Sequence, residues 1–194
     1  MPERMKPVRS KQEIERKWLL SQVPDQKLLD ICHIDLVESH VVHQAYLYAD
    51  DNIEVSLHVR YDGATYDTMQ PHINGRRLTI KFGNGLVREE AEIDLTEEQM
   101  TKLMAHVKHP FIKKIFRIYR VYWGNDTLKF ECSEVDPGTP NSFIYSEIEF
   151  ESERDANSYK FPGYFEPFLI REVTSEKSWA MKNYWRRTRL GEPV

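Results

Sequence analysis

Charged side chains recur at every second position in several separate stretches of this chain, and that period constrains the fold more than any other feature. The most compact case is Glu13-Ile14-Glu15-Arg16-Lys17. On a β-strand, residues i, i+2 and i+4 share one face at spacings of about 7 Å. Glu13, Glu15 and Lys17 would then stand in a row, with Ile14, Arg16 and Trp18 behind them. Two carboxylates beside an ammonium can hold a hard divalent cation and touch the anion it carries. A helix over residues 12 to 20 is the competing pattern. It would put Ile14 and Trp18 on one face and make Glu13 and Lys17 an ordinary surface pair. The later recurrences of the charged alternation favour the strand.

The bulk properties narrow the classes. A chain of 194 residues predicts one domain with a sizeable core. Lys and Arg total 27 against 31 Asp and Glu, a net charge of −4. That balance argues against a dedicated binder of nucleic acid or of an anionic membrane surface, since both need excess cations. Cys32 and Cys132 lie far apart and are expected to be free thiols, which suits a reducing, cytoplasmic compartment. No apolar run is long enough to span a bilayer, and no apolar segment follows Met1. Residues 1–10 are expected to form a flexible arm, and residues 11–190 a single domain.

Along the chain, a turn at Val23-Pro24-Asp25 leads into a short helix carrying Leu28, Leu29 and Cys32. Strands are predicted over 40–48 and 53–61, around Asp50-Asp51-Asn52. In the second of these, Val55, Leu57 and Val59 oppose Glu54, Ser56, His58 and Arg60. A long polar connection over 62–77 contains Asn74-Gly75, a strong hairpin signal. Strands over 78–82 and 86–95 follow. In the latter, Arg88, Glu90, Glu92 and Asp94 share a face. Thr96 and Gln99 form a capping-box pattern, with Leu95 and Met100 as the staple, for a helix running to about His109 before Pro110. Strands over 115–123, 127–135 and 143–151 come next. A short helix follows Ser152, then an aromatic loop over 161–168. A C-terminal helix from Ser175 carries Trp179, Met181, Tyr184 and Trp185.

Short strands at hairpin spacing predict an antiparallel sheet closed into a barrel or sandwich. One strand with a charged face is an ordinary solvated surface. Here one set of faces collects Glu13, Glu15, Glu90, Glu92, Glu131, Glu147 and Glu149 with Lys17, Arg60, Lys81, Arg88, Arg117 and Lys129. The opposite faces, such as Leu57/Val59 and Ile148/Phe150, are apolar and also need burial. A barrel whose lumen carries both signs of charge, with helices over its apolar outside, meets both demands. Clustered carboxylates select Mg²⁺ or Mn²⁺, and clustered Arg and Lys select phosphate oxygens.

The motifs resemble the CYTH superfamily, the triphosphate tunnel metalloenzymes. Glu13-Ile14-Glu15-Arg16-Lys17 is similar to the family's E-x-E-x-K signature. Leu78-Thr79-Ile80-Lys81 resembles its phosphate-binding lysine strand, and Arg88 to Glu92 its R-x-E-x-E strand. Glu147-Ile148-Glu149 resembles its late E-x-E strand, and Arg171 to Thr174 the motif before its final helix. The resemblance spans residues 11–184 and rests on order and spacing together. It implies an eight-stranded antiparallel β-barrel tunnel, mainly β, with flanking helices and a C-terminal helix. Family members hydrolyse inorganic triphosphate, thiamine triphosphate or nucleoside triphosphates, and some cyclise ATP. By that resemblance Glu13, Glu15, Glu147 and Glu149 are metal ligands for Mg²⁺ or Mn²⁺. Lys17, Arg60, Lys81, Arg88 and Arg117 cradle phosphate, with His58 where the family has arginine. Glu90 and Glu92 support the bases. Lys17, Lys81 and Glu131 are the catalytic candidates.

This chain departs from the family pattern in places. Arg-x-Arg becomes His58-Val59-Arg60, and E-x-D becomes Glu131-Cys132-Ser133. Ile115 stands two residues before Arg117, where a lysine belongs, with Lys113 and Lys114 displaced. Trp179 and Met181 stand where the last helix has Tyr and Asn. The expected function is metal-dependent hydrolysis of a small triphosphate, first of all inorganic tripolyphosphate. The alternatives are adenylyl cyclase chemistry on ATP and a non-catalytic triphosphate binder. No histidine shows metal-ligand spacing, and no serine or cysteine sits in a nucleophile motif. Trp185 to Arg189 is a solvated basic helix end rather than a nucleic-acid patch.

Overall fold

A computed structural model describes residues 8–193. The chain forms β1 (Arg9–Leu20), α1 (Gln26–Cys32), β2 (Leu36–Ala49), β3 (Ile53–Asp62), β4 (Ile73–Phe82) and β5 (Val87–Asp94). α2 (Glu97–Met104), β6 (Ile112–Trp123), β7 (Asp126–Val135), β8 (Phe143–Glu149), α3 (Glu153–Ser158), β9 (Leu169–Glu172) and α4 (Met181–Trp185) complete it. Residues 1–7 of the expected arm lie outside the described residues, while Arg9 and Ser10 already belong to β1.

Residues 13 to 17 are strand, and β1 closes the barrel. Its first half pairs with β5, Glu13 opposite Arg88, and its second half with β8, Lys17 opposite Glu147. The remaining order is β5-β4-β3-β2-β6-β7-β8, every neighbour antiparallel. β9 adds a ninth strand along Trp18–Leu20. Among the described residues no helix is long and apolar enough to cross a membrane. Both cysteines are free thiols.

The outer faces are covered as the alternation requires. Trp18, Tyr119, Phe130 and Ile148 pack with Leu29 of α1, Ala156 of α3 and Phe165 of the 3₁₀ turn Gly163–Phe168. Leu57 and Val59 pack under Met100 of α2. At one end of the barrel, Tyr46 and Tyr145 pack with Tyr184 and Trp185 of α4. Asp136 latches that end. It accepts from Tyr184 Oη at 2.5 Å and Arg189 at 2.6 Å.

Several boundaries differ from the sequence expectations. Asn74-Gly75 lies inside β4, with Gly75 opposite Arg60, because the turn is made earlier. There the Asp62 carboxylate accepts from the Ala64 amide at 2.9 Å. Tyr66 is tied to His43 at 2.8 Å. The capping box on α2 forms as read, but the helix ends at Met104, where tighter turns take over. The C-terminal helix is broken by extended Ala180 into a 3₁₀ turn, α4 and a π-turn. The break lets Trp179 and Tyr184 both reach the Phe143 ring.

Phe130 is fully buried and 4.6 Å from the Phe165 ring. Phe130→Ala should cost about 3–5 kcal/mol of unfolding free energy, read from urea denaturation.

Candidate active site

Alternation along the closed sheet turns one residue in two toward the lumen. These charges neutralise one another. Lys81 Nζ lies 2.8 Å from Glu13 Oε1 and 3.1 Å from Glu90 Oε1. Arg88 Nη2 lies 2.9 Å from Glu13 and 3.3 Å from Glu15. Lys17 Nζ lies 2.9 Å from Glu147 and 3.7 Å above the centre of the Tyr145 ring.

A cavity of about 310 Å³ opens between these side chains and the segment from Val173 to Met181. Of the residues singled out in sequence, Glu15, Lys17, His58, Lys81, Arg88 and Glu147 line it. Glu13 stands behind Lys81 and Arg88. Glu131 is opposite Glu147 in register but does not reach the cavity. Glu149 and Glu90 are tied to Lys11, Glu92 pairs with Arg77 at 2.7 Å, and Arg60 sits 4.0 Å from Glu38; none of the four reaches it either.

Arg117 requires a correction. It pairs in register with Cys132, a fully buried residue of the outer core, and its guanidinium lies 4.0 Å from Glu134. Lys114 points into the lumen, so the period of two carries Phe116 inward and turns Arg117 out. Lys114 is therefore the basic residue that β6 supplies, one position away from the family spacing. Sequence inspection also passed over Gln44, Glu54, Ser56 and Tyr145 as site residues. Two signals pointed to all of these but Gln44. Glu54 and Ser56 share the face of His58, and Tyr145 stands two residues before Glu147.

Burial and crowding set the proton affinities. Burial pushes the Glu15 carboxyl well up, and the nearby charges of Glu147 and Glu13 add to it. Burial also opposes ionisation of Glu147, but Lys17 and Lys114 reverse the effect and hold it at about 2. Burial raises Glu131 to about 7, helped by Glu147 and Glu149. His58 is pushed well down by burial and by Lys114 and Lys81, so the imidazole is neutral; it lies 2.9 Å from Ser56 Oγ. Burial, with Lys17 and Lys81, lowers Lys114 to about 8, and its Nζ lies 3.0 Å from Tyr145 Oη.

The donor set suits a hard divalent cation. Its oxygens are carboxylate, and the crowding of Glu15 against Glu13 and Glu147 is a repulsion such a cation would relieve. The side chains are not gathered into a cage: among the described residues no three His, Cys, Asp or Glu are placed to hold a metal. Closing one would mean drawing bases away from acids.

No family model matches the chain, and no curated protein does. Solved structures are similar to it. The inorganic triphosphatase NE1496 is 24% identical over 88% of this chain and 92% of that one, with a TM-score of 0.49. A second NE1496 structure, described as a hypothetical protein, is 25% identical over 88% and 95%, also at 0.49. The PH1012 protein of Pyrococcus horikoshii OT3 is 16% identical over 75% and 83%, at 0.47. The closed barrel and its two-signed lumen are the tunnel architecture that the sequence motifs resemble. What the tunnel does is decided by the side chains within it.

The depressed Glu147 gives a pH test. A carboxyl held below its unfolded value stabilises the fold above about pH 4.5, and that contribution fades as pH falls toward about 2. Lys17→Met should shrink the loss of stability between pH 6 and pH 3.5, compared by urea midpoints.

Proposed function

We propose that this protein hydrolyses a small triphosphate, inorganic tripolyphosphate first, with Mg²⁺ or Mn²⁺. The observation that carries this is the sharing of one cavity by Glu15 and Glu147 with Lys17, Lys81, Arg88 and Lys114. Acids alone would suit a cation, and bases alone an anion. Both together suit a metal polyphosphate. A volume of about 310 Å³ is at the low end for small-molecule sites, which favours a compact anion over a nucleotide.

In this reading the phosphate oxygens take over the ammonium of Lys17 and Lys81 and the guanidinium of Arg88. Glu13, Glu15 and Glu147, freed of those partners, would hold the metal ion; Glu149, exposed and tied to Lys11 outside the cavity, stands apart from that set. The bound ion would supply charge neutralisation at the phosphates and a more acidic water. Lys17, Lys81, Arg88 and Lys114 fix the anion in line for attack and stabilise charge on the bridging and terminal oxygens. Water adds to the terminal phosphorus, and the bond to the bridging oxygen breaks. The water's proton passes to a lumen carboxylate, leaving orthophosphate and pyrophosphate. His58 and Ser56 offer uncharged hydrogen bonds where a second arginine would add a charge. Glu131, raised to about 7 by burial and opposite Glu147 in register, would back that carboxylate from outside the cavity.

Phosphate release from tripolyphosphate, thiamine triphosphate and ATP, each with Mg²⁺ or Mn²⁺, tests the proposal. Tripolyphosphate should be turned over fastest. Lys81→Ala should lower kcat by about 10²–10³, and Glu15→Gln should abolish metal-dependent release. Arg117→Ala, which alters only the outer face, should stay near wild type. Cyclic AMP from ATP would instead mark a cyclase. Binding of every triphosphate with no release would overturn hydrolysis.

A further inference from the structure

The bases of the lumen fall into two groups, and an uncharged layer lies between them. Lys17, Lys81, Arg88 and Lys114 line the cavity. Lys11, Arg60 and Lys129 stand on the same faces further along β1, β3 and β7, and none of them reaches it. The side chains of Lys11 and Arg60 are 45% and 37% exposed, so they form a second, outer rim. Between the groups, Val42, Thr79, Ile118 and Ser133 hold lumen positions at 2–8% exposure and do not line the cavity. Phe116 belongs to this layer, in register with His40 and Ser133. It is half-buried and outside the cavity lining, so its open side meets the rim. There the Arg60 guanidinium lies 6.0 Å from the ring centre, and the His40 ring lies 6.5 Å away, nearly parallel.

Because Lys114 points inward, the residue two further on must do so too. Where the sequence resemblance calls for an arginine, this chain therefore turns in a phenyl ring. The ring offers phosphate oxygens no donor, and drawing a polyanion through a dry layer costs its hydration. The cavity opens at the other end, between Asn84 and the exposed segment from Ser175 to Lys177. We propose that Phe116 stops the lumen midway and makes the site blind. A polyphosphate enters end-on past Asn84, its terminal phosphate halts at the Phe116 layer, and Arg60 and Lys129 are never reached. Phe116 is then the residue that sets how much of a chain the site can grip. This rests on the cavity being a polyphosphate site. It adds that phosphates beyond those filling the cavity stay outside the mouth and contribute no affinity.

The dependence of affinity on chain length tests it. Tripolyphosphate, tetrapolyphosphate and a long-chain polyphosphate are compared by calorimetry, in EDTA and again with Mg²⁺, at high salt to screen contacts outside the cavity. For wild type, affinity per chain end should level off, the long chain binding within about twofold of tetrapolyphosphate. Phe116→Ala should open the way to Arg60 and Lys129 and bind the long chain about tenfold more tightly than tripolyphosphate. Phe116→Tyr keeps a ring in place and should keep the wild-type plateau. Thermal midpoints check the variants, and the wild-type series needs none of them to fold. Wild-type affinity that climbs with length overturns this inference alone, as does a folded Phe116→Ala that keeps the plateau. A plateau without phosphate release overturns the hydrolase reading alone. Binding of none of the chains in either buffer overturns the polyphosphate reading and this inference with it.

Discussion

Everything in this barrel depends on acids and bases being held at close range out of bulk water. Glu13 is 5% exposed and contacts both Lys81 and Arg88. Removing either sign alone would strand the other in a medium that penalises it heavily. The lumen is therefore stable only as a balanced set, or with a ligand that brings its own balance. In the proposed reading, the acids that neutralise the lysines would receive a cation once the lysines turned to phosphate.

The outside of the sheet makes this arrangement rigid. Tyr119, Phe130, Ile148 and Phe165 form a dry layer against the helices, so the strands cannot slip by one residue. Such a slip would exchange Lys114 with Ile115 and bring charge into the core. The segment from Val173 to Met181 completes one wall of the cavity, and the aromatic cluster around Tyr184 and Trp185 fixes it there. Asp136 bonds Tyr184 and Arg189 together, tying that wall to the loop after β7.

Much of the fold was legible because charge alternation is a local signal. Glu13, Glu15, Lys17, Lys81, Arg88 and Glu147 declare their shared face within their own strands. The capping box at Thr96 and Gln99 is equally local, and it formed as read. The errors came where a face had to be inferred across strands. Arg117 was grouped by its type rather than by its partner, and only the pairing with Cys132 shows which way it points. Ala180 gave no sign of the break it makes, since the reason is the packing of Trp179 and Tyr184 on a distant ring.

By itself the sequence determined that several strands carry acids and bases on alternate positions, and hence that a closed, charged sheet was required. It could do so because a period of two is written in consecutive residues. Tertiary structure decided which charges meet. It turned Arg117 out, brought Lys114 in, and placed Glu131 and Glu149 beyond the cavity. Those outcomes depend on register between strands far apart in the chain, a relation set by packing and closure and by no residue alone.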